Sequence, residues 1–223
     1  MRSGAADKRY SLYKMRAIEI QRNETVICVV GVPQALLLSV DLSGDVEASV
    51  AGLSVHGMAE VEGDANLHLW WFNHLEILDG DELKFRFLET DEVSPCPEIT
   101  ASDSPEFIAD QTEYEKMLKT NPISARPMIR NFSNLSFEVN AGSKLIVAAL
   151  DEDREFLSAR LTWNNFRPNS CRLSVSSFSQ IEALARKGRK EWLVETVQLD
   201  ETCLFKVSYN RSFDTDTQAC RST

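Results

Sequence analysis

Glycine, proline and histidine are scarce in this chain: 9, 7 and 3 residues among 223. The glycines form neither Gly-x-Gly-x-x-Gly nor Gly-x-x-x-x-Gly-Lys-Ser/Thr, so the backbone loops that cradle nucleotide phosphates are missing. His-Glu-x-x-His is missing as well. The five cysteines (Cys28, Cys96, Cys171, Cys203 and Cys220) are odd in number, scattered, and never spaced Cys-x-x-Cys. That pattern favours reduced thiols over a disulfide framework or a zinc site. No window approaches the roughly 18 consecutive apolar residues of a membrane span. The opening residues, Met1 to Arg9, have no apolar core for a signal peptide, so the expected location is cytoplasmic. Positive charge is also short: 24 Lys and Arg stand against 34 Asp and Glu, a net charge of −10.

What is present is β-pattern. Leu67 to Phe87 reads as an aromatic run, an Asp79-Gly80 turn, and a strand with Leu83, Phe85 and Phe87 on one face. Period-two alternation around Asp-Gly predicts a hairpin. A weaker copy runs from Trp192 through Leu199-Asp200 to Phe205, Val207 and Tyr209. The correspondence extends along the chain. Adding 119 takes Ile27 to Ile146 and Leu42 to Leu161; adding 120 takes Leu53-Ser54-Val55 to Leu173-Ser174-Val175; adding 121 takes Trp71 to Trp192 and Asp79 to Asp200. This ordered series predicts a tandem duplication: a first β-rich unit over 15–97 and a second over 131–213.

Polar residues 1–14 are expected to be a disordered lead, with Met15 a natural start, and 214–223 a tail. The segment 98–130 reads as a linker. Its helix spans about 105–119, opened by Ser104-Pro105 and carrying Phe107, Ile108, Tyr114, Met117 and Leu118. Each unit is expected to hold one short helix, near Met58 to Glu62 in the first. In the second, Ser179-Gln-Ile-Glu182 is a capping box and Gly188 a stop. The predicted class is therefore α+β, two mostly antiparallel β-rich units each with a helix.

Trp71, Leu78-Asp-Gly-Asp-Glu82 and Glu89-Thr-Asp-Glu-Val-Ser-Pro95 carry a resemblance. Over 15–97 the chain resembles a group of short uncharacterised bacterial proteins with a Trp, a Leu-x-x-Gly-Asp-Glu turn and a closing Glu-x-Asp-Glu-x-x-Pro. The second unit keeps the Trp and Leu-Asp but lacks the Gly-Asp-Glu turn and the acidic closing motif. The resemblance implies no activity.

Chemistry-bearing residues are sparse. Gly52-Leu-Ser54-Val-His56 approaches a nucleophile elbow but lacks the second glycine. His56, His68 and His74 lie near Glu62, Asp64 and Glu76, so a hydrolase built on that His and carboxylate cluster is one reading. On a straight strand, however, His68 and His74 would stand about 20 Å apart. Trp70, facing away from the core Trp71, suits contact with a ligand in a cleft between units. That gives a second reading, a small-molecule or carbohydrate binder. The leading reading comes from charge. Residues 15–96 hold four Lys/Arg and fifteen Asp/Glu, net −11, whereas residues 131–220 hold eleven and twelve, net −1. Such a field repels nucleic acid and steers a basic protein. The sequence thus predicts a non-enzymatic interaction protein of the inhibitor, immunity or complex-subunit kind. Its expected contacts are Asp45, Glu47, Glu60, Glu62, Asp64 and Trp70, with no catalytic residue, metal, cofactor or membrane partner.

Overall fold

The computed structural model describes residues 14–45, 50–60, 66–120, 132–150, 154–179, 182 and 188–211. In chain order its strands are β1 (Met15–Arg22), β2 (Thr25–Val30), β3 (Ala35–Asp45), β4 (Val50–Glu60), β5 (Asn66–Ile77), β6 (Glu82–Thr90) and β7 (Glu98–Ala101). After helix α1 (Pro105–Thr120) come β8 (Phe132–Ala141), β9 (Lys144–Ala149), β10 (Phe156–Asn164), β11 (Ser170–Phe178), β12 (Lys190–Gln198) and β13 (Thr202–Arg211). They form two antiparallel sheets, ordered β2-β1-β6-β13-β8-β9 and β12-β11-β10-β3-β4-β5-β7.

The alternation of side chains explains the layering. Leu83, Phe85 and Phe87 of β6 are fully buried, as are Cys203, Phe205 and Val207 of β13, while Lys84, Arg86, Leu204 and Lys206 face away. In the other sheet Leu157, Ala159, Leu161 and Trp163 of β10 point inward beside Leu38, Val40 and Leu42 of β3. The two inner faces share one core, with the Phe85 and Phe205 rings 4.9 Å apart and tilted by 38°.

Each sheet is continuous across a seam between the halves of the chain. Outward from the seam, the first sheet runs through the sixth, first and second strands of each half. The second runs through the third, fourth and fifth, with β7 added at one edge. Lys84 pairs with Leu204 at the centre of the β6–β13 ladder, and Asp41 with Arg160 at the centre of β3–β10.

Turns lock the seam reciprocally. Asp81 N–H donates to Leu78 O at 3.1 Å with Gly80 at φ 83°, a type II arrangement, and the Asp81 carboxylate accepts from Leu78 N–H at 2.7 Å. Gly80 N–H then donates to Val207 O (2.9 Å) and Val207 N–H to Asp81 O (3.0 Å). The mirror set has Asp200, at φ 67°, donating to Phe87 O (2.7 Å) and Phe87 donating to Glu201 O (3.1 Å). Gln198 N–H donates to Glu201 Oε2 at 2.7 Å, as Leu78 does to Asp81. The bonds therefore match Gly80 with Asp200, one residue away from the Leu78-Asp79 to Leu199-Asp200 match in sequence. A Cβ at Gly80 meets no atom within 4 Å, so its glycine is required by φ alone. Gly80→Val is expected to cost roughly 1 kcal/mol or more, measured by urea unfolding.

Several expectations are corrected. The fold is not α+β with a helix in each of two units. It is mostly antiparallel β in two shared sheets, and α1 is the single full helix among the described residues. Asp79-Gly80 does not close a hairpin, because β5 and β6 lie in different sheets and the turn carries the chain across the sandwich. Met58 to Glu60, expected in a helical turn, extends β4: Met58 pairs with His68 and Ala59 with Leu67. Period-two burial continues there through Val55, Gly57 and Ala59. Glu98–Ala101, read as linker, is a strand on the edge of β5; four residues among prolines carry no detectable period.

At α1, Ser104 Oγ accepts from Phe107 N–H at 3.2 Å, an N-cap before Pro105. Phe107 stacks on His68 and Ile108 is exposed. The capping box at Ser179 forms in both directions, Ser179 N–H to Glu182 Oε2 at 2.9 Å and Glu182 N–H to Ser179 Oγ at 3.1 Å. The rest of that expected helix, residues 1–13 of the expected 1–14 lead and the expected 214–223 tail lie outside the described residues. No described helix is long and apolar enough to cross a membrane.

Candidate functional site

The seam exposes two polar surfaces, one on the outer face of each sheet. On the second sheet the centre is Asp41, buried although it faces outward. Its carboxylate is held by the Arg160 guanidinium across the seam and accepts from Ser39 Oγ at 2.8 Å. His56 Nδ1 stands 3.8 Å from Asp41, too far for a hydrogen bond, and no other partner meets it. Burial lowers the His56 pKa below its usual value and outweighs the attraction of Asp41; Arg160 and His68 push the same way. That shift favours the neutral imidazole, and its ring lies 4.9 Å from that of Trp70.

This group does not assemble a nucleophile. The Ser39 hydroxyl is spent on the carboxylate, and Ser54 Oγ donates to Asn73 O at 2.6 Å in the middle of an extended strand. A nucleophile elbow needs a strand-to-helix turn, which β4 does not make at Ser54. The histidines also separate. His56 and His68 are diagonal neighbours on β4 and β5, but His74 lies over Gly52, where any Cβ would strike its imidazole. Among the described residues, no three His, Cys, Asp or Glu side chains are placed to hold one metal ion. The described cysteines are free, and burial raises the thiols of Cys28, Cys171 and Cys203, Cys203 to about 12 with a further push from Glu201.

The expected contact residues divide. Asp45 ends β3, opposite Val50 and Phe156. Glu60 ends β4 at the other extreme of the same strand pair, its N–H donating to Gln34 O at 3.1 Å. Ten residue steps separate the two ends, about 33 Å, so these acids are two surfaces and not one. Glu47, Glu62 and Asp64 lie outside the described residues. Trp70 is half-buried on the outer face against His56, while Trp71 is buried and donates to Ser94 O at 3.2 Å.

On the first sheet the seam carries a groove of about 440 Å³. Gln21, Glu24, Glu82 and Lys84 line it from the first half, and Asn140 and Glu201 are among its lining from the second. Three carboxylates face one ammonium. Sequence reasoning assigned Trp70 to a cleft between units, but Trp70 belongs to the other sheet, against His56, and does not line this groove; the side chains that do are drawn from segments spanning most of the chain. Glu82 of the Gly-Asp-Glu turn was the one local pointer.

Fold and surfaces together define an antiparallel β-sandwich with two polar seams. No protein-family model, no curated protein and no solved structure matches the chain.

Proposed function

We propose that this is a non-enzymatic interaction protein whose acidic first half engages a basic protein partner. The observation that carries the reading is that both halves build the same strand order and the same seam bonds while differing in charge, −11 against −1. Glu82 corresponds to Thr202 in the second half, and Asp41 corresponds to Arg160. Apart from Asp81, whose turn bond Glu201 repeats, and Asp41, which Arg160 pairs across the seam, the first half's acidic excess is not needed to build the scaffold and is available for recognition. Exposed acids at strand ends, such as Glu60, suit this use.

A second reading, a small cationic or zwitterionic ligand in the seam groove, is favoured by the 440 Å³ volume and its three carboxylates. The two readings separate by where neutralisation acts. One variant would carry Asp45→Asn with Glu47→Gln. A second would carry Glu60→Gln, Glu62→Gln and Asp64→Asn, and a third Glu82→Gln with Glu201→Gln. If a partner protein docks on the strand ends, one of the first two slows its association by about tenfold and the groove variant does not. Loss confined to the groove variant would transfer the function to the groove.

A further inference from the structure

We infer that β9 is a docking edge for a second copy of this chain, pairing antiparallel with its own equivalent to join two first sheets into one. Four strands end the two sheets, and three of them are guarded. At β2, Val29 N–H donates to Ser94 Oγ at 2.9 Å and Ser94 N–H returns to Val29 O at 2.9 Å, so the segment after β6 closes that edge. β7 is only four residues long. β12 carries Lys190, Glu191 and Glu195, charges of the kind that discourage strand addition.

β9 differs from all three. Among the described residues no strand pairs with its outer edge, and Leu145-Ile-Val-Ala-Ala149 contains no charge, proline or glycine. Its one charged residue, Lys144, is drawn aside to Glu195 of β12. Leu145 is 65% exposed and Val147 59% exposed, both on the outward face, whereas Ala148 points into the core. An uncharged, β-branched edge with apolar outward residues is a template for another strand.

The strand is self-complementary, which selects a second copy as the occupant. A two-fold pairing centred on Ile146 sets Leu145 of one protomer beside Val147 of the other, twice, and brings no like charges together. Charge permits the approach there and opposes it elsewhere. The chain carries −10 overall, but β9 lies in the half of net −1, while the equivalent edge β2 lies in the half of −11. The acidic half stays free in such a dimer, so the inference is independent of the proposed partner.

The test is sedimentation of the full chain, its V147K variant and its V147T variant between about 1 and about 200 µM, with circular dichroism and thermal unfolding on each. Position 147 is exposed, so neither substitution disturbs the core. The parent and V147T should dimerise, and V147K should raise the dissociation constant by at least about tenfold with an unchanged fold. A parent that stays monomeric throughout, or a V147K dimer as tight as the parent, would overturn the proposal. So would a monomer that dimerises only after deletion of 212–223, since the chain's own end would then be the occupant.

Discussion

Replacing Phe205 with Ala is expected to lower stability by about 3–5 kcal/mol, the cost of deleting a fully buried phenyl ring and leaving its volume unfilled. The ring sits on β13 at the seam, tilted against Phe85 of β6, and is fully buried. Because domains of this kind are held by only about 5–15 kcal/mol in total, the loss would be a large fraction of the whole. Urea unfolding reads it as a lower midpoint with an unchanged slope. Phe205→Leu keeps most of the volume and should cost clearly less. A loss below about 1 kcal/mol for the Ala variant would mean that the seam is not the centre of the core.

The second large effect belongs to Asp81, the anchor of the crossover turn. Its carboxylate pairs with Arg22, accepts from Asn23 Nδ2 at 2.7 Å and from Leu78 N–H at 2.7 Å. Burial by itself would raise its pKa, but Arg22, Leu78 N–H and Asn23 together outweigh burial and hold it below the ordinary carboxylate value. Asp81→Asn keeps the shape but takes the charge from Arg22, and the expected cost is about 2–4 kcal/mol at pH 7. The sign with pH follows from the direction of the shift. A carboxyl depressed in the folded state adds stability above its unfolded pKa, about 3.9, and loses it as pH falls through the lower folded value. The gap between parent and Asp81→Asn should therefore be constant near neutrality and shrink below about pH 5. A gap that widens on acidification would contradict the pairing.

Much of this fold is written locally. The inward set Leu83, Phe85 and Phe87, the inward Trp71 beside the outward Trp70, and the helix opened by Ser104-Pro105 all follow from period and capping, which act over a few residues. What is not written locally is which strands meet. The Asp79-Gly80 turn has the same residues and the same positive φ whether it closes a hairpin or crosses between sheets. The deciding bonds go to Val207, more than a hundred residues away. The seam surfaces were hidden for the same reason, since Asp41 and Arg160, or Glu82 and Glu201, meet only once the halves join. A strong Leu-Asp identity also drew the sequence match one residue away from the hydrogen-bonded one. Asp200 adopts the left-handed backbone that Gly80 supplies, and Asp tolerates it better than most residues do.

The proposed function rests on the charge difference between halves, since both halves follow the same strand order and only one is strongly acidic. Screening acts on that difference directly, because the Debye length falls from about 10 Å at 0.1 M salt to about 3 Å at 1 M. If the proposed function holds, the deciding measurement is the association rate of the purified protein with the basic protein that it captures, across that salt range. The parent should bind at least about tenfold more slowly at the high end, and neutralising the strand-end carboxylates should flatten the dependence. A rate unaffected by salt and by those substitutions would contradict an acidic recognition surface and turn attention to Trp70 on the outer face.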